Sequence, residues 1–90
     1  MYRLKFSQRA DADLSKLRKD EPRAFNKAEK LLEELQEHPK TGTGHPEQLR
    51  GDRVNQWSRR ITSKHRLIYE IENAEVIVIV VSAYGHYGDK

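Results

Sequence analysis

The sequence predicts an α+β fold of order β-α-α-β-β-β, two helices packed on one face of a small twisted, mainly antiparallel sheet. Three observations predict it. Apolar residues alternate at Tyr2, Leu4 and Phe6, recur at helical spacing from Ala10 to Leu35, and return to extended patterning from Asn55 to Val81. Only 36% of the 90 residues are apolar and 34% are charged, a supply that covers one sheet face more readily than it fills a sandwich. Cys is absent, so no disulfide or thiolate metal site staples a different architecture. One domain spanning residues 1–90 is expected.

Each element has a local cause. Tyr2 to Phe6 sets Tyr2, Leu4 and Phe6 against Arg3 and Lys5, the pattern of a half-buried strand. Ala10, Leu14 and Leu17 fall at i, i+4 and i+7 and mark a short amphipathic helix. Asp20-Glu21-Pro22 is a break and a restart, an acidic cap followed by Pro near N1 of a second helix. Phe25, Ala28, Leu32 and Leu35 form one stripe of that helix with Leu31 beside it, while Glu29, Glu33, Glu34 and Glu37 are solvated surface. His38-Pro39 ends it.

Lys40 to Pro46 is a loop whose Gly42 and Gly44 permit a tight turn; no helix follows that would make it a phosphate loop. Asn55 to Thr62 sets Trp57, Arg59 and Ile61 against Gln56, Ser58 and Arg60. Arg66 to Glu72 sets Leu67, Tyr69 and Ile71 against Arg66, Ile68 and Glu70, and Asn73-Ala74 is a hairpin turn. Val76 to Val81 is apolar without a break, as in a central strand covered on both faces. No apolar run approaches the roughly 18 residues of a membrane span, and no signal peptide is visible at Met1-Tyr2-Arg3, so a cytoplasmic protein is expected.

Charge is unevenly placed. The net charge is +3, yet residues 8–37 carry seven Lys or Arg against eight Asp or Glu. Residues 45–69 carry Arg50, Arg53, Arg59, Arg60, Lys64 and Arg66 against Glu47 and Asp52, a net of +4. Arginine's planar fork suits phosphate better than a lysine point charge, although a solvated basic face has the same count.

The same segment gathers Glu47, Arg50, Trp57, Ser58, Arg59, Arg60, His65 and Arg66, and the chain closes through Gly85-His86-Tyr87. A carboxylate, guanidiniums and an imidazole can take a proton, hold phosphate charge and return a proton, the needs of phosphodiester cleavage without a metal. Taken singly, most of these residues have plainer roles. Glu47 is a loop carboxylate; Arg59 shares a face with Trp57 and Ile61, which favours packing or an internal ion pair as much as RNA contact; His65 is structural, hydrogen-bonding near a turn. Trp57 and Tyr69 read as core, leaving Tyr84 and Tyr87 as the base-stacking candidates. His38 and His45 have no Cys partner or H-x-x-x-H spacing, so no metal or cofactor is expected.

The run Gly42-Thr43-Gly44-His45-Pro46-Glu47-Gln48-Leu49-Arg50 resembles the G-x-G-K-P-E-x-L-K stretch of the YoeB/Txe toxin family. Trp57-Ser58-Arg59-Arg60-Ile61, His65-Arg66-Leu67-Ile68-Tyr69 and the closing His86-Tyr87 resemble it too. The resemblance implies a RelE-like fold and a ribosome-dependent endoribonuclease that cuts mRNA in the ribosomal A site. It implies a YefM-type antitoxin partner, contact with ribosome and mRNA, and a possible homodimer. Residue by residue, Glu47 matches the general base, Arg66 the group that neutralises the phosphorane, His86 the general acid and Tyr87 its aromatic neighbour. Arg60, and Arg50 in place of the usual lysine, match groups that hold RNA; Arg59 and His45, the latter again at a common lysine position, are further RNA-binding candidates.

The chain departs from the family pattern in several places. Leu14 and Leu17 stand where tryptophans are frequent, Lys64 where an acid is, and Gly85 where a bulkier residue is, and the tail runs on through Gly88-Asp89-Lys90. Two rival readings stay open: a protein of this fold that binds RNA or ribosomes without cutting, and one that serves only to bind an antitoxin.

Overall fold

The structure is a computed structural model that describes residues 1–49 and 55–85. Its elements run β1 (Arg3–Phe6), α1 (Gln8–Asp20), α2 (Pro22–Glu37), β2 (Glu47–Gln48), β3 (Gln56–Arg60), β4 (Arg66–Glu72) and β5 (Ile77–Ser82). The expected order is therefore observed with one addition, the two-residue strand β2. Two residues carry no periodicity, so sequence patterning could not announce it.

Ser7 starts α1. Its Oγ accepts from the Ala10 N–H at 3.0 Å and donates to the Val81 carbonyl at 2.8 Å, so one hydroxyl caps the helix and ties it to the end of β5. Asp11 in the first turn and Arg18 and Lys19 in the last complement the helix dipole. Glu21 closes α1 through its N–H to the Leu17 carbonyl at 2.7 Å, and Pro22 opens α2 with φ preset. The acidic cap expected at this break is not formed, because the Glu21 side chain makes no capping bond and reaches His65 instead.

The sheet order is β1-β5-β4-β3-β2, with β1 parallel to β5 and every other pair antiparallel. The two helices link β1 to the rest, the long connection that a parallel pairing requires. Ala24, Ala28, Leu31 and Leu35 of α2, with Ala10 and Leu17 of α1, pack on Leu67, Tyr69, Ile71, Val78 and Val80. The buried stripe of α2 is thus rotated slightly from the expected Phe25–Leu32 line, whose two residues are only partly buried. As expected, β5 is an interior strand. Its register to β4 slips between Ile68 and Tyr69, which pair with Ser82 and Val80, leaving Val81 as the bulged residue.

Candidate functional site

Strand alternation divides the candidates between two faces. Arg59, Leu67 and Tyr69 point to the helices and are buried, so Ser58 and Arg60 on β3 and Ile68 and Arg66 on β4 belong to the opposite face. Arg60 pairs directly with Arg66, and Ser58 with Ile68. On the far side of β3, Glu47 pairs with Ser58. Glu47, Arg60 and Arg66 therefore share one face; Glu47 and Arg66 lie two strands and two residues apart, roughly 12 Å at the backbone. Glu47 and Arg60 are exposed and Arg66 is half-buried. The Ser58 hydroxyl between Glu47 and Ile68 is fully buried and has no hydrogen-bond partner among the described residues.

The glycine loop puts Glu47 there. The Arg60 N–H donates to the Gly44 carbonyl at 2.7 Å, and the Leu49 N–H to the Gln56 carbonyl at 2.8 Å, so residues 44–49 run along β3 as an added edge. Gly44 has φ +87, and a Cβ there would stand 2.9 Å from the Arg60 carbonyl. Gly42 is similarly confined, since a Cβ would collide with Glu34 Oε1. His45, exposed at φ 53, follows directly. These glycines hold the loop against a strand, a closer constraint than a free turn.

Arg59 takes the internal alternative that its position in the sequence left open. It is fully buried; its guanidinium donates to Glu34 Oε1 at 2.8 Å, to the Thr41 carbonyl at 2.6 Å, to the His38 carbonyl, to the Thr43 carbonyl at 3.4 Å and to the Tyr69 hydroxyl at 3.2 Å. With these donors engaged inside the core, Arg59 holds the 38–43 loop. The Thr43 N–H, with help from Arg59, holds the Glu34 carboxyl below its ordinary range. Burial pushes the Tyr69 phenol up, so it stays protonated and donates to the Pro39 carbonyl at 2.7 Å.

Gly85, the last described residue, is held beside Arg66. The Arg66 N–H donates to the Gly85 carbonyl at 2.9 Å, and the Gly85 N–H donates to His65 Nδ1 at 2.9 Å. An unprotonated Nδ1 places the ring proton on Nε2, which lies 2.7 Å from Glu21 Oε2. That bond, with Lys64 Nζ 3.7 Å away, holds Glu21 below the usual carboxylate range. Tyr84 packs against His65 with centroids 4.3 Å apart and the rings tilted by 50°, and it receives the Lys16 ammonium at 4.4 Å, so the stacking candidate already has internal partners. Asp13 Oδ2 accepts from the Ala83 N–H at 2.9 Å. Arg50, His86 and Tyr87 lie outside the described residues. The sequence marked His65 as structural but held no sign of its link to Glu21, 44 residues away.

The sequence profile of the YoeB-like toxin of bacterial type II toxin-antitoxin systems matches residues 6–87. Toxin YoeB of Mycobacterium bovis is 41% identical over 58 residues, 64% of this chain and 66% of that protein, so the match spans just under two thirds of the relative. Among solved structures, the YoeB/ParE toxin from Agrobacterium tumefaciens is similar at TM-score 0.89 and 29% identity, over 94% of this chain and 99% of that one. YoeB of Staphylococcus aureus is similar as a dimer, at TM-score 0.84, 26% identity and coverage of 96% and 98%. In its heterotetrameric complex with YefM the values are 0.82, 26%, 97% and 99%. No helix among the described residues is long and apolar enough to cross a membrane.

Proposed function

This chain belongs to the family of YoeB-like toxins of bacterial type II toxin-antitoxin systems, and from that premise we propose that it is a ribosome-dependent endoribonuclease. It enters the A site of a translating ribosome in the cytoplasm and cuts the message by attack of a 2′-hydroxyl on the adjacent phosphorus. Glu47 takes the hydroxyl proton. Arg66, with Arg60 beside it, holds the negative charge that builds on the phosphorane. His86 gives a proton to the departing 5′-oxygen, a role that suits imidazole as the side chain that exchanges protons near neutrality. The products are a 2′,3′-cyclic phosphate, or the 3′-phosphate from its opening, and a 5′-hydroxyl.

The observation that carries this reading is the shared face of Glu47, Arg60 and Arg66, with Gly85 hydrogen-bonded to the Arg66 backbone and His86 next in the chain. Two arginines paired directly across β3 and β4 suit an anion between them. The partner is a YefM-type antitoxin, in line with the complex formed by the Staphylococcus aureus relative. An acidic segment that folds on binding complements the arginine face and covers it.

Primer-extension mapping of mRNA, with and without ribosomes, tests the proposal. Wild-type protein should yield new 5′-hydroxyl ends only with ribosomes. Glu47→Ala, Arg66→Ala and His86→Ala should each lower their yield by about 10²-fold or more. Full cleavage in both Arg66→Ala and His86→Ala removes this mechanism. Stalled translation without new ends favours a protein that binds and does not cut.

A further inference from the structure

We infer that His65 is a positioning residue that fixes Gly85, the residue before His86 in the chain, and that Glu21 sets the ring form it needs; the inference rests on the nuclease reading. Gly85 is gripped from both sides by two consecutive residues. Its N–H donates to Nδ1 of His65 and its carbonyl accepts from the N–H of Arg66, each at 2.9 Å. Gly85 is therefore fixed to the strand that carries the candidate phosphate-binding Arg66.

The imidazole is placed for this and has no route to substrate. His65 is 2% exposed, covered by Tyr84 and bonded at both ring nitrogens. To accept from Gly85 the ring must keep its proton on Nε2, and a carboxylate 2.7 Å from Nε2 favours that tautomer over the other. Glu21 lies between the two helices, so the α1–α2 junction, β4 and the tail meet at one ring. Ala83, anchored to Asp13, and Val81, anchored to Ser7, brace the tail further back. With no such ring, Gly85 keeps only its bond to the Arg66 N–H. A misplacement of about 1 Å at a reacting group can cost on the order of a hundredfold in rate.

Two conservative pairs test the role. In His65→Asn the amide oxygen can stand near Nδ1 and accept from Gly85, whereas His65→Gln keeps a donor toward Glu21 and lacks that acceptor. Glu21→Ala removes the group that holds Nε2–H, and Glu21→Gln restores an acceptor at a partly exposed site where the fold tolerates change. Ribosome-dependent cleavage should fall about a hundredfold in kcat for His65→Gln and about tenfold for Glu21→Ala, with KM for programmed ribosomes little altered. His65→Asn and Glu21→Gln should recover most of the loss. Amide exchange at Gly85, read by NMR, should be slow in the wild type and Glu21→Gln and faster in Glu21→Ala. Wild-type kcat in folded Glu21→Ala and His65→Gln, beside an inactive His86→Ala, overturns the positioning role alone. Absence of ribosome-dependent cleavage by the wild type overturns the nuclease reading instead, and normal cleavage by His86→Ala removes the acid role of His86. Rapid Gly85 exchange in the wild type overturns the clasp whatever the activity.

Discussion

The Tyr69 hydroxyl accepts from Arg59 Nε at 3.2 Å inside the helix-covered core and donates to the Pro39 carbonyl at 2.7 Å. A phenol thus stands between a buried guanidinium and a loop carbonyl. Tyr69→Phe removes both bonds and should destabilise the protein by about 1–3 kcal/mol. Arg59→Ala should cost more, about 3–5 kcal/mol, because Glu34 and three loop carbonyls lose their donor together. Urea unfolding followed by circular dichroism checks both. If Arg59→Ala folds normally and loses only RNA binding, the assignment of Arg59 to the loop clasp is wrong.

Acid should weaken the same clasp. Glu34 is held low by the Thr43 N–H and Arg59, and Glu21 by its bond to His65. A carboxyl whose folded pKa lies below the unfolded value, about 4.3 for glutamate, contributes its stabilisation above that value. The contribution is lost as pH falls through the folded pKa. Unfolding free energy should therefore stay level from neutral pH to about 5 and decline below about 4.3. In Glu34→Gln the acid decline should be shallower and the neutral plateau lower. An acid limb of unchanged slope in that variant would contradict the assignment.

Sequence and structure part company where neighbours in space are distant along the chain. Strand alternation was enough to separate Arg60 and Arg66 from Leu67 and Tyr69, because the period of two fixes faces once a strand exists. It could not decide Arg59, whose five partners lie on α2, the 38–43 loop and β4. The Gly42 and Gly44 pair was visible as a turn. What it could not show was that Gly44 bonds to Arg60 and so creates β2. Glu21 read as a helix cap because caps are local, while its bond to His65 depends on packing of the helix junction against β4.

Val76 holds φ at 56 in the β4–β5 turn, donating to the Asn73 carbonyl at 3.2 Å and accepting from the Arg3 N–H at 2.9 Å. A β-branched residue in the left-handed region costs about 1–2 kcal/mol. Both bonds use the backbone, and the side chain is 42% exposed. Val76→Asn should therefore stabilise the protein by about 1 kcal/mol, a rise of roughly 4–8 °C in the thermal midpoint. An unchanged or lower midpoint would mean that the valine side chain contributes packing that offsets its backbone strain.

Arg60 and Arg59 are neighbours in the chain with opposite expectations for RNA. Arg60 is exposed on the face of Arg66 and should contact phosphate, whereas Arg59 is enclosed. Each phosphate contact adds about 0.7 to the slope of log affinity against log salt for single-stranded RNA. Arg60→Ala should weaken ribosome-programmed RNA binding and reduce that slope by about 0.7, with unfolding free energy nearly unchanged. A salt slope equal to that of the wild type would exclude Arg60 from phosphate contact.

Gly44 connects fold to chemistry most directly. Its carbonyl accepts from the Arg60 N–H at 2.7 Å, and a Cβ at this residue would sit 2.9 Å from the Arg60 carbonyl and 3.3 Å from the Leu31 side chain. Gly44→Ala meets both backbone at close range and a φ of +87 that alanine resists, so the loop must swing away from β3. Glu47 lies three residues further on and pairs with Ser58 through the same edge, so its carboxylate moves with the loop. Cleavage should fall on the order of a hundredfold through kcat. Antitoxin-independent stability should drop by only about 1–3 kcal/mol. The check is kcat on programmed ribosomes alongside thermal unfolding of the same preparation. Loss of rate with a preserved melting transition locates the defect at Glu47, whereas undiminished cleavage would show that β2 need not be in place for the reaction.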